Sequence, residues 1–140
     1  MAQGLLRHLL DKAGRTDVQV ISAGVGTSGG SGATQETIDV MKQEGIDVSG
    51  HVGRPATRDL ILHADLVLCM EDFQRDQVVG LAPEARLKVH LLRTFQAKGS
   101  ISDPNIPDPI GKPKEVYESC LLTIKDSVQR LYRWLEKQPA

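Results

Sequence analysis

The sequence predicts an α/β protein, a doubly wound three-layer sandwich built on a small parallel sheet. Two short β-like segments, residues 18–22 and 65–70, alternate with amphipathic helical patterns along the chain, which is the order that places helices on both faces of a sheet. Residues 65–70 (DLVLCM) form a nearly continuous apolar run, which is typical of a central strand covered on both sides in a parallel sheet. In such folds ligands bind at the carboxyl ends of the strands.

Length and composition favour a single domain over residues 1–140 that needs neither disulfides nor a metal. A domain of 140 residues buries about two thirds of the surface that its unfolded chain exposes, so a hydrophobic core suffices to fold it. The two cysteines are too few for a disulfide framework, and the four histidines have no ligand-spaced partners. We therefore expect no metal site and no cofactor.

Charge and hydropathy limit the partners and the compartment. The net charge is −1, and 25% of the residues are charged without a block of one sign, which argues against nucleic acid or an anionic membrane as a partner. Neither a signal peptide nor a long apolar run is present in the sequence, so we expect a soluble protein of the reducing cytoplasm.

The first quarter of the chain predicts a helix and a strand. Leucines at positions 5, 6, 9 and 10 recur at helical spacing and Gly14 supplies a stop, so helix one starts almost at residue 1. No Ser, Thr, Asp or Asn precedes this helix as a cap. Residues 18–22 (VQVIS) are rich in β-branched side chains and predict a strand that enters a glycine-rich loop at 23–32.

Two further helices are predicted before the apolar strand at 65–70. Thr34 is placed to cap a helix over about residues 35–44, with Ile38 and Met41 on its inner face and Gly45 as its stop. A short helix is predicted over residues 57–63.

The second half predicts a helix, an edge strand, a long loop and a final helix. Residues 71–81 form a helical pattern that Pro83 ends, and residues 87–92 alternate as a half-exposed edge strand does. A proline-containing loop over 93–111 leads to a helix over about 114–137. The predicted inner stripe of this last helix consists of Val116, Cys120, Ile124, Val128, Leu131 and Leu135.

Residues 106–111 (IPDPIG) hold one carboxylate, Asp108, between two prolines. Each proline locks its own φ at about −65° and keeps the residue before it out of the α region, so Asp108 is held extended. A carboxylate on so restricted a loop can be aimed at a ligand. The alternative is an ordinary turn, which Asp-Pro and Pro-Gly steps often mark.

Two short motifs match functional patterns only in part. Residues 24–29 (GVGTSG) fit G-x-G-x-x-G, with Asp47 near the distance suited to a ribose, but further glycines prolong the loop before the next helix, which favours a flexible loop. Cys69 and Arg75 have the Cys-x5-Arg spacing of cysteine phosphatases. The residues between them include two carboxylates and no glycine, so they would repel a phosphate. Cys69 is therefore predicted to be a small apolar residue at the end of a buried strand.

Five segments taken together resemble the low-molecular-weight protein tyrosine phosphatases, with matching order and spacing along nearly the whole chain. They are residues 1–6 (MAQGLL), 22–24 (SAG), 45–51 (GIDVSGH), 64–70 (ADLVLCM) and 107–109 (PDP). In that family a first strand and a Cys-x5-Arg-Ser-Pro phosphate-binding loop lead into helix one, and by the resemblance this chain begins after that loop. The resemblance therefore implies a fold without the family's first strand and a chain without the nucleophilic cysteine and phosphate-binding arginine, which we expect to be inactive.

The resemblance also implies roles for four residues. Asp108 matches the general acid that protonates the leaving group and later activates water on the phosphocysteine. Ser22 and His51 match residues that brace the phosphate-binding loop, the alternatives being a strand-end hydroxyl and an exposed imidazole. Ile110 stands where the family commonly has an aromatic residue beside the phosphotyrosine ring, so a flat aryl substrate is less well served.

The resemblance implies a phosphorylated protein as substrate and leaves open which residue carries the phosphate. Bacterial relatives include phosphoarginine phosphatases and phosphatases paired with exopolysaccharide kinases. Arsenate reductases share the fold but need neighbouring cysteines, whereas Cys69 and Cys120 are far apart in sequence.

Two alternatives to a phosphatase are a non-catalytic remnant that binds a partner and, more remotely, a dinucleotide-binding module. DNA upstream of Met1 that encodes, in frame, an apolar strand and Cys-x5-Arg-Ser-Pro would favour the phosphatase over the remnant.

Without the family's first strand, two strands keep unpaired edges, so self-association is expected.

Overall fold

The computed structural model describes residues 1–139, in which helices cover both faces of a two-stranded parallel sheet. The elements in chain order are α1 (Ala2–Lys12), α2 (Gln35–Gln43), α3 (Arg58–His63), β1 (Val67–Cys69), α4 (Asp72–Leu81), a 3₁₀ helix (Pro83–Lys88), β2 (Val89–Leu91) and α5 (Lys114–Glu136). In the sheet, Val67 lies opposite Val89 and Cys69 lies opposite Leu91. A crossover through α4 joins the two strands, as parallel pairing requires. The predicted α/β class with a small parallel sheet is confirmed.

Alternate side chains around β1 enter two separate hydrophobic clusters. Val67 and Cys69 pack in a cluster with residues of α3, α4 and the 3₁₀ helix. Leu66, Leu68 and Met70 pack against a larger cluster formed mainly by α1, α2 and α5. Because successive side chains of an extended chain point to opposite faces, the sheet has a core on each side and the fold has three layers.

Helix α5 forms the floor of the larger cluster and packs against both α1 and α2. Its buried residues are Tyr117, Leu121, Ile124, Ser127, Val128 and Leu131. The predicted stripe is therefore wrong at Val116, which is 41% exposed, whereas Cys120 is half-buried and packs against the larger cluster. Positions 117 and 121 lie on the same helical face as 124 and 128, and Tyr117 and Leu121 are buried there.

Side-chain caps fix the start of α2, where Thr34 was predicted as the cap, and of α3, where Thr57 was predicted as the first helical residue and is instead the cap. Thr34 Oγ1 accepts a hydrogen bond from the Thr37 backbone N–H at 3.3 Å, and Thr57 Oγ1 accepts one from Leu60 N–H at 3.2 Å. Helix α1 has no side-chain cap, as the sequence predicts. In α2, Val40 joins Met41 in full burial, whereas Ile38 is only half-buried.

Residues 18–22 have no regular secondary structure and are not a strand of the sheet, so the strand prediction for them is wrong. Within residues 1–139 they form no backbone-to-backbone hydrogen bond. The Val20 carbonyl instead accepts from Arg7 Nη2 at 2.6 Å and from Gln3 Nε2 at 3.4 Å. The β-branched side chains behave as predicted, since Val18 and Val20 pack against the larger cluster, but a strand also requires a neighbouring strand.

The other two strand predictions hold over shorter spans. Strand β1 pairs with β2 alone within residues 1–139, so the description of residues 65–70 as a central strand is wrong for the part of the chain described. The predicted edge strand is confirmed only over Val89–Leu91. Leu87 belongs to the preceding 3₁₀ helix, where its side chain is 86% exposed.

Candidate active site

The Asp108 loop connects β2 to α5, and Asp108 itself is exposed on it. One carboxylate oxygen, Oδ1, accepts a hydrogen bond from the Ile110 backbone N–H at 3.0 Å. Gly111 then adopts a φ of +78°, a conformation that glycine takes without steric cost. The carboxylate is therefore held by a local turn, and its second oxygen has no hydrogen-bond partner within residues 1–139.

The Asp108 carboxylate and the N-terminus of α1 both lie near Cys120. The Cys120 Sγ is 3.9 Å from the Pro107 carbonyl oxygen. Burial raises the pKa of the Cys120 thiol, the Met1 amino group lowers it and the Asp108 carboxylate raises it, so both charged groups lie within electrostatic reach of this thiol. The first N–H groups of α1 have no capping side chain, and such a helix end attracts anions. A carboxylate and a helix end that attracts anions therefore lie close to one side chain, Cys120. We call the surface formed by Asp108 and the N-terminus of α1 the rim.

The two predicted bracing residues differ in what they contact. Ser22 Oγ donates a hydrogen bond to Gln3 Oε1 at 2.7 Å, so Ser22 is tied to the first turn of α1. His51 is half-buried, and its backbone N–H donates to the Val48 carbonyl at 3.1 Å. Its imidazole makes no hydrogen bond within residues 1–139. The structure thus brings Ser22, but not the His51 side chain, into contact with the helix end.

Two exposed apolar side chains are connected to the Asp108 loop. Ile110 lies on the loop itself, and Phe73 follows Asp72, which is hydrogen-bonded to the loop. Ile110 follows the Asp108-Pro109 step and is 64% exposed, so it forms no closed wall. Phe73 is 51% exposed in the first turn of α4, whose Asp72 N–H donates to Asn105 Oδ1 of the acid loop at 2.8 Å. The sequence Asp103-Pro104-Asn105 indicates a turn, but it gives no sign that Asn105 is hydrogen-bonded to α4.

The glycine-rich segment is a loop, as predicted. Gly24 N–H donates to the Arg54 carbonyl at 2.9 Å, and Ala56 N–H donates to the Gly24 carbonyl at 2.8 Å. Helix α2 begins only at Gln35, so no helix N-terminus opens within the motif. Asp47 Oδ1 accepts from Ser49 N–H at 2.9 Å. The geometry that a dinucleotide-binding fingerprint requires is therefore not formed.

Cys69 is a core residue, as predicted. Its side chain is 6% exposed at the end of β1, and burial raises the pKa of its thiol to about 11 although nearby Arg75 lowers it. A nucleophilic cysteine requires the opposite shift. Within residues 1–139, no three histidine, cysteine or acidic side chains are grouped to hold a metal ion, and no helix is long and apolar enough to span a membrane.

These features define an α/β domain with an acid held between two prolines and a helix N-terminus that no side chain caps. Comparison with known proteins identifies the family. Residues 1–140 match the family described as low molecular weight phosphotyrosine protein phosphatase. The chain belongs to this family, and the resemblance noted in the sequence is confirmed.

Three relatives illustrate the breadth of the match. A probable low molecular weight protein-tyrosine-phosphatase, EpsP of Ralstonia solanacearum, is 34% identical over 91% of this chain and 81% of its own length. A protein-arginine-phosphatase of Geobacillus stearothermophilus is 32% identical over 93% of this chain and 85% of its own length. A solved structure of the YwlE arginine phosphatase, a mutant with a phosphorylated active-site serine, superimposes with a TM-score of 0.87 at 28% identity, covering 98% of this chain and 87% of the other.

Proposed function

We propose that Asp108 is the general acid of a protein phosphatase that works through a cysteinyl-phosphate. In the first step the phosphoryl group moves from the substrate oxygen or nitrogen to a cysteine thiolate, and Asp108 donates its proton to the leaving atom. In the second, the Asp108 carboxylate takes a proton from water, which attacks phosphorus, frees the thiolate and releases inorganic phosphate. The substrate class is a phosphorylated protein that carries phosphotyrosine or phosphoarginine.

The observation that carries this proposal is that Asp108 and the uncapped N-terminus of α1 both lie near Cys120, whose Sγ is 3.9 Å from the carbonyl oxygen of Pro107. A phosphate at the positive end of a helix is stabilised by free N–H groups and the helix dipole. An acid on the same rim is close to the atom that leaves that phosphate. The Ser22–Gln3 hydrogen bond supports the same location, because it steadies the first turn of α1.

The same proposal holds that these 140 residues alone do not catalyse hydrolysis. Burial raises the thiol pKa of both cysteines, so neither Cys69 nor Cys120 is in a thiolate-stabilising environment. An acid without a nucleophile and an anion cradle stabilises little of the transition state. The family's Cys-x5-Arg-Ser-Pro loop, placed directly before α1, would supply both.

The test compares the 140-residue chain with an extended protein in which a family-type apolar strand and Cys-x5-Arg-Ser-Pro loop precede Met1. We expect the extended protein alone to hydrolyse phosphotyrosine or phosphoarginine peptides, and the preferred peptide identifies the substrate class. Asp108→Asn keeps a side-chain oxygen that can accept the hydrogen bond from the Ile110 N–H, but its amide is not acidic enough to protonate the leaving group. It should lower kcat by about 10²–10⁴ for a poor leaving group, and by less for a good one.

The matched control is Asp103→Asn, at the neighbouring Asp-Pro step. Asp103 Oδ1 accepts from the Asn105 backbone N–H at 3.0 Å, and an amide oxygen can still accept this bond, so kcat should change little. An extended protein that folds but hydrolyses neither peptide would favour a non-catalytic binding role. Full kcat after Asp108→Asn on a poor leaving group, or loss only after Asp103→Asn, would show that the acid is a different residue.

A further inference from the structure

We propose that Asn105 is a positioning residue, which holds Asp108 at the rim by tying the acid loop to the first turn of α4. This inference rests on the proposed function of Asp108 as the acid. Asn105 is the only asparagine in the sequence and lies half-buried three residues before Asp108.

The Asn105 side chain caps a helix to which it does not belong. Its Oδ1 accepts a hydrogen bond from the Asp72 backbone N–H at 2.8 Å, and Asp72 is the first residue of α4. The N–H groups in the first turn of a helix have no partner within the helix. Gln74 Oε1 takes the N–H groups of Met70 and Glu71 at 3.1 and 3.2 Å, which leaves Asp72 N–H to Asn105.

The backbone on both sides of this side chain is held as well. The Asn105 carbonyl accepts from Arg93 Nη1 at 3.3 Å, and the Ile106 N–H donates to the Met70 carbonyl at 2.8 Å, directly beyond the end of β1. The Arg93 carbonyl in turn accepts from the Arg130 guanidinium of α5. The loop is therefore attached at residues 105 and 106 to α4, to the end of β1 and, through Arg93, to α5.

The attachment is transmitted to Asp108 because the chain between them has little freedom. Pro107 fixes one backbone angle, Pro109 restricts Asp108 itself, and Pro109 is buried. A general acid must come within about 2.6–3.2 Å of the atom it protonates, and a misplacement of about 1 Å can cost about 10²-fold in rate. Loss of the Asn105–Asp72 bond should therefore displace the acid without changing its chemistry.

The first part of the test uses the 140-residue chain and does not depend on activity. Asn105→Ala should increase amide hydrogen exchange at Ile106 and Ile110 relative to the parent, by about tenfold, which corresponds to a loss of about 1.4 kcal/mol. Asn105→Asp keeps a side-chain oxygen for Asp72 N–H and should restore protection. Ser102→Ala is the matched control, since the exposed Ser102 makes no side-chain hydrogen bond within residues 1–139. Unchanged exchange in Asn105→Ala overturns the positioning role.

The second part uses the extended protein. Asn105→Ala should lower kcat/KM, which reports formation of the cysteinyl-phosphate, about tenfold for a poor leaving group and less than about twofold for a good one, because a good leaving group needs little proton donation. Asn105→Asp should recover most of this loss. In an Asp108→Asn background, Asn105→Ala should have no further effect, because the two changes act on one step.

The possible results separate the two proposals. Equal losses of kcat/KM for both leaving groups, or additive losses with Asp108→Asn, overturn the positioning role and leave Asn105 as a purely structural cap. If the extended protein is inactive or does not respond to Asp108→Asn, the proposed function fails, and with it the catalytic meaning of Asn105. The exchange measurement on the 140-residue chain still reports whether Asn105 orders the loop.

Discussion

Cys69 and Arg75 have the spacing of a catalytic pair, and the burial of Cys69 predicts that its thiol is unreactive. With a pKa raised from its ordinary value of 9.0 to about 11, only about 0.1% of the thiol is ionised at pH 8, against about 10% at the ordinary value. The thiolate is the reactive form. Ionisation alone should therefore slow alkylation about a hundredfold, and the 6% exposure of the side chain should slow it further.

The measurement is alkylation by iodoacetamide at pH 8, followed by mass spectrometry of the peptide that contains Cys69. The reference is the same chain unfolded in urea, and a Cys120→Ser background prevents labelling at the second thiol. We expect the folded chain to label at least about a hundred times more slowly, with the rate rising up to about pH 11. Labelling within about threefold of the unfolded chain, or an inflection below pH 8, would refute the reasoning. If the 140-residue chain hydrolyses an aryl phosphate and Cys69→Ser abolishes this activity, Cys69 and Arg75 are a catalytic pair after all.

Three further predictions concern stability and association. Because burial raises the pKa of Cys69 in the folded state, the stability that its neutral thiol contributes is fully present below about pH 9 and is lost towards pH 11. The difference in free energy of unfolding between the parent and Cys69→Ala should therefore shrink from about pH 9 to about pH 11 in urea titrations, and a constant difference would contradict this. Leu121→Ala should cost about 2–5 kcal/mol and Val116→Ala under about 1 kcal/mol; equal losses would refute the burial assignment of α5. The free edge of β1 and residues 18–22 should cause concentration-dependent association in analytical ultracentrifugation that the added strand abolishes; a monomer at high concentration with a sharp two-state melt is the contrary result.

Features fixed by local chemistry were predictable from the sequence. Thr34 stands one residue before a helical pattern, and it caps the helix that follows because its hydroxyl lies within reach of the Thr37 N–H. The loop around Asp108 was predictable for the same reason, since proline acts on its immediate neighbours. Its place beside the α1 N-terminus required the family resemblance, because no local signal connects positions 1 and 108.

Features that depend on distant neighbours were not predictable in the same way. Residues 18–22 have the side chains of a strand, and Val18 and Val20 pack against the larger cluster. Hydrogen bonding to a second strand, however, is not encoded in their own sequence. Val116 and Tyr117 both begin plausible apolar faces of α5, and only the positions of α1 and α2 select the second. Asn105 reads as part of a turn, because its partner Asp72 is 33 positions away.

The packing of α1 on α5 joins the two ends of the chain, and this has a consequence for the order of folding. The β1–α4–β2 unit closes over a short stretch of sequence, whereas the α1–α5 contact closes a loop of more than 100 residues, which costs more entropy and forms more slowly. The N-terminus of α1 is half of the proposed site, so the site should be assembled late, after α5 has been synthesised. A nascent chain stopped before α5 would contain the parallel sheet and the Asp108 loop but would have no docked helix end to present to a phosphate.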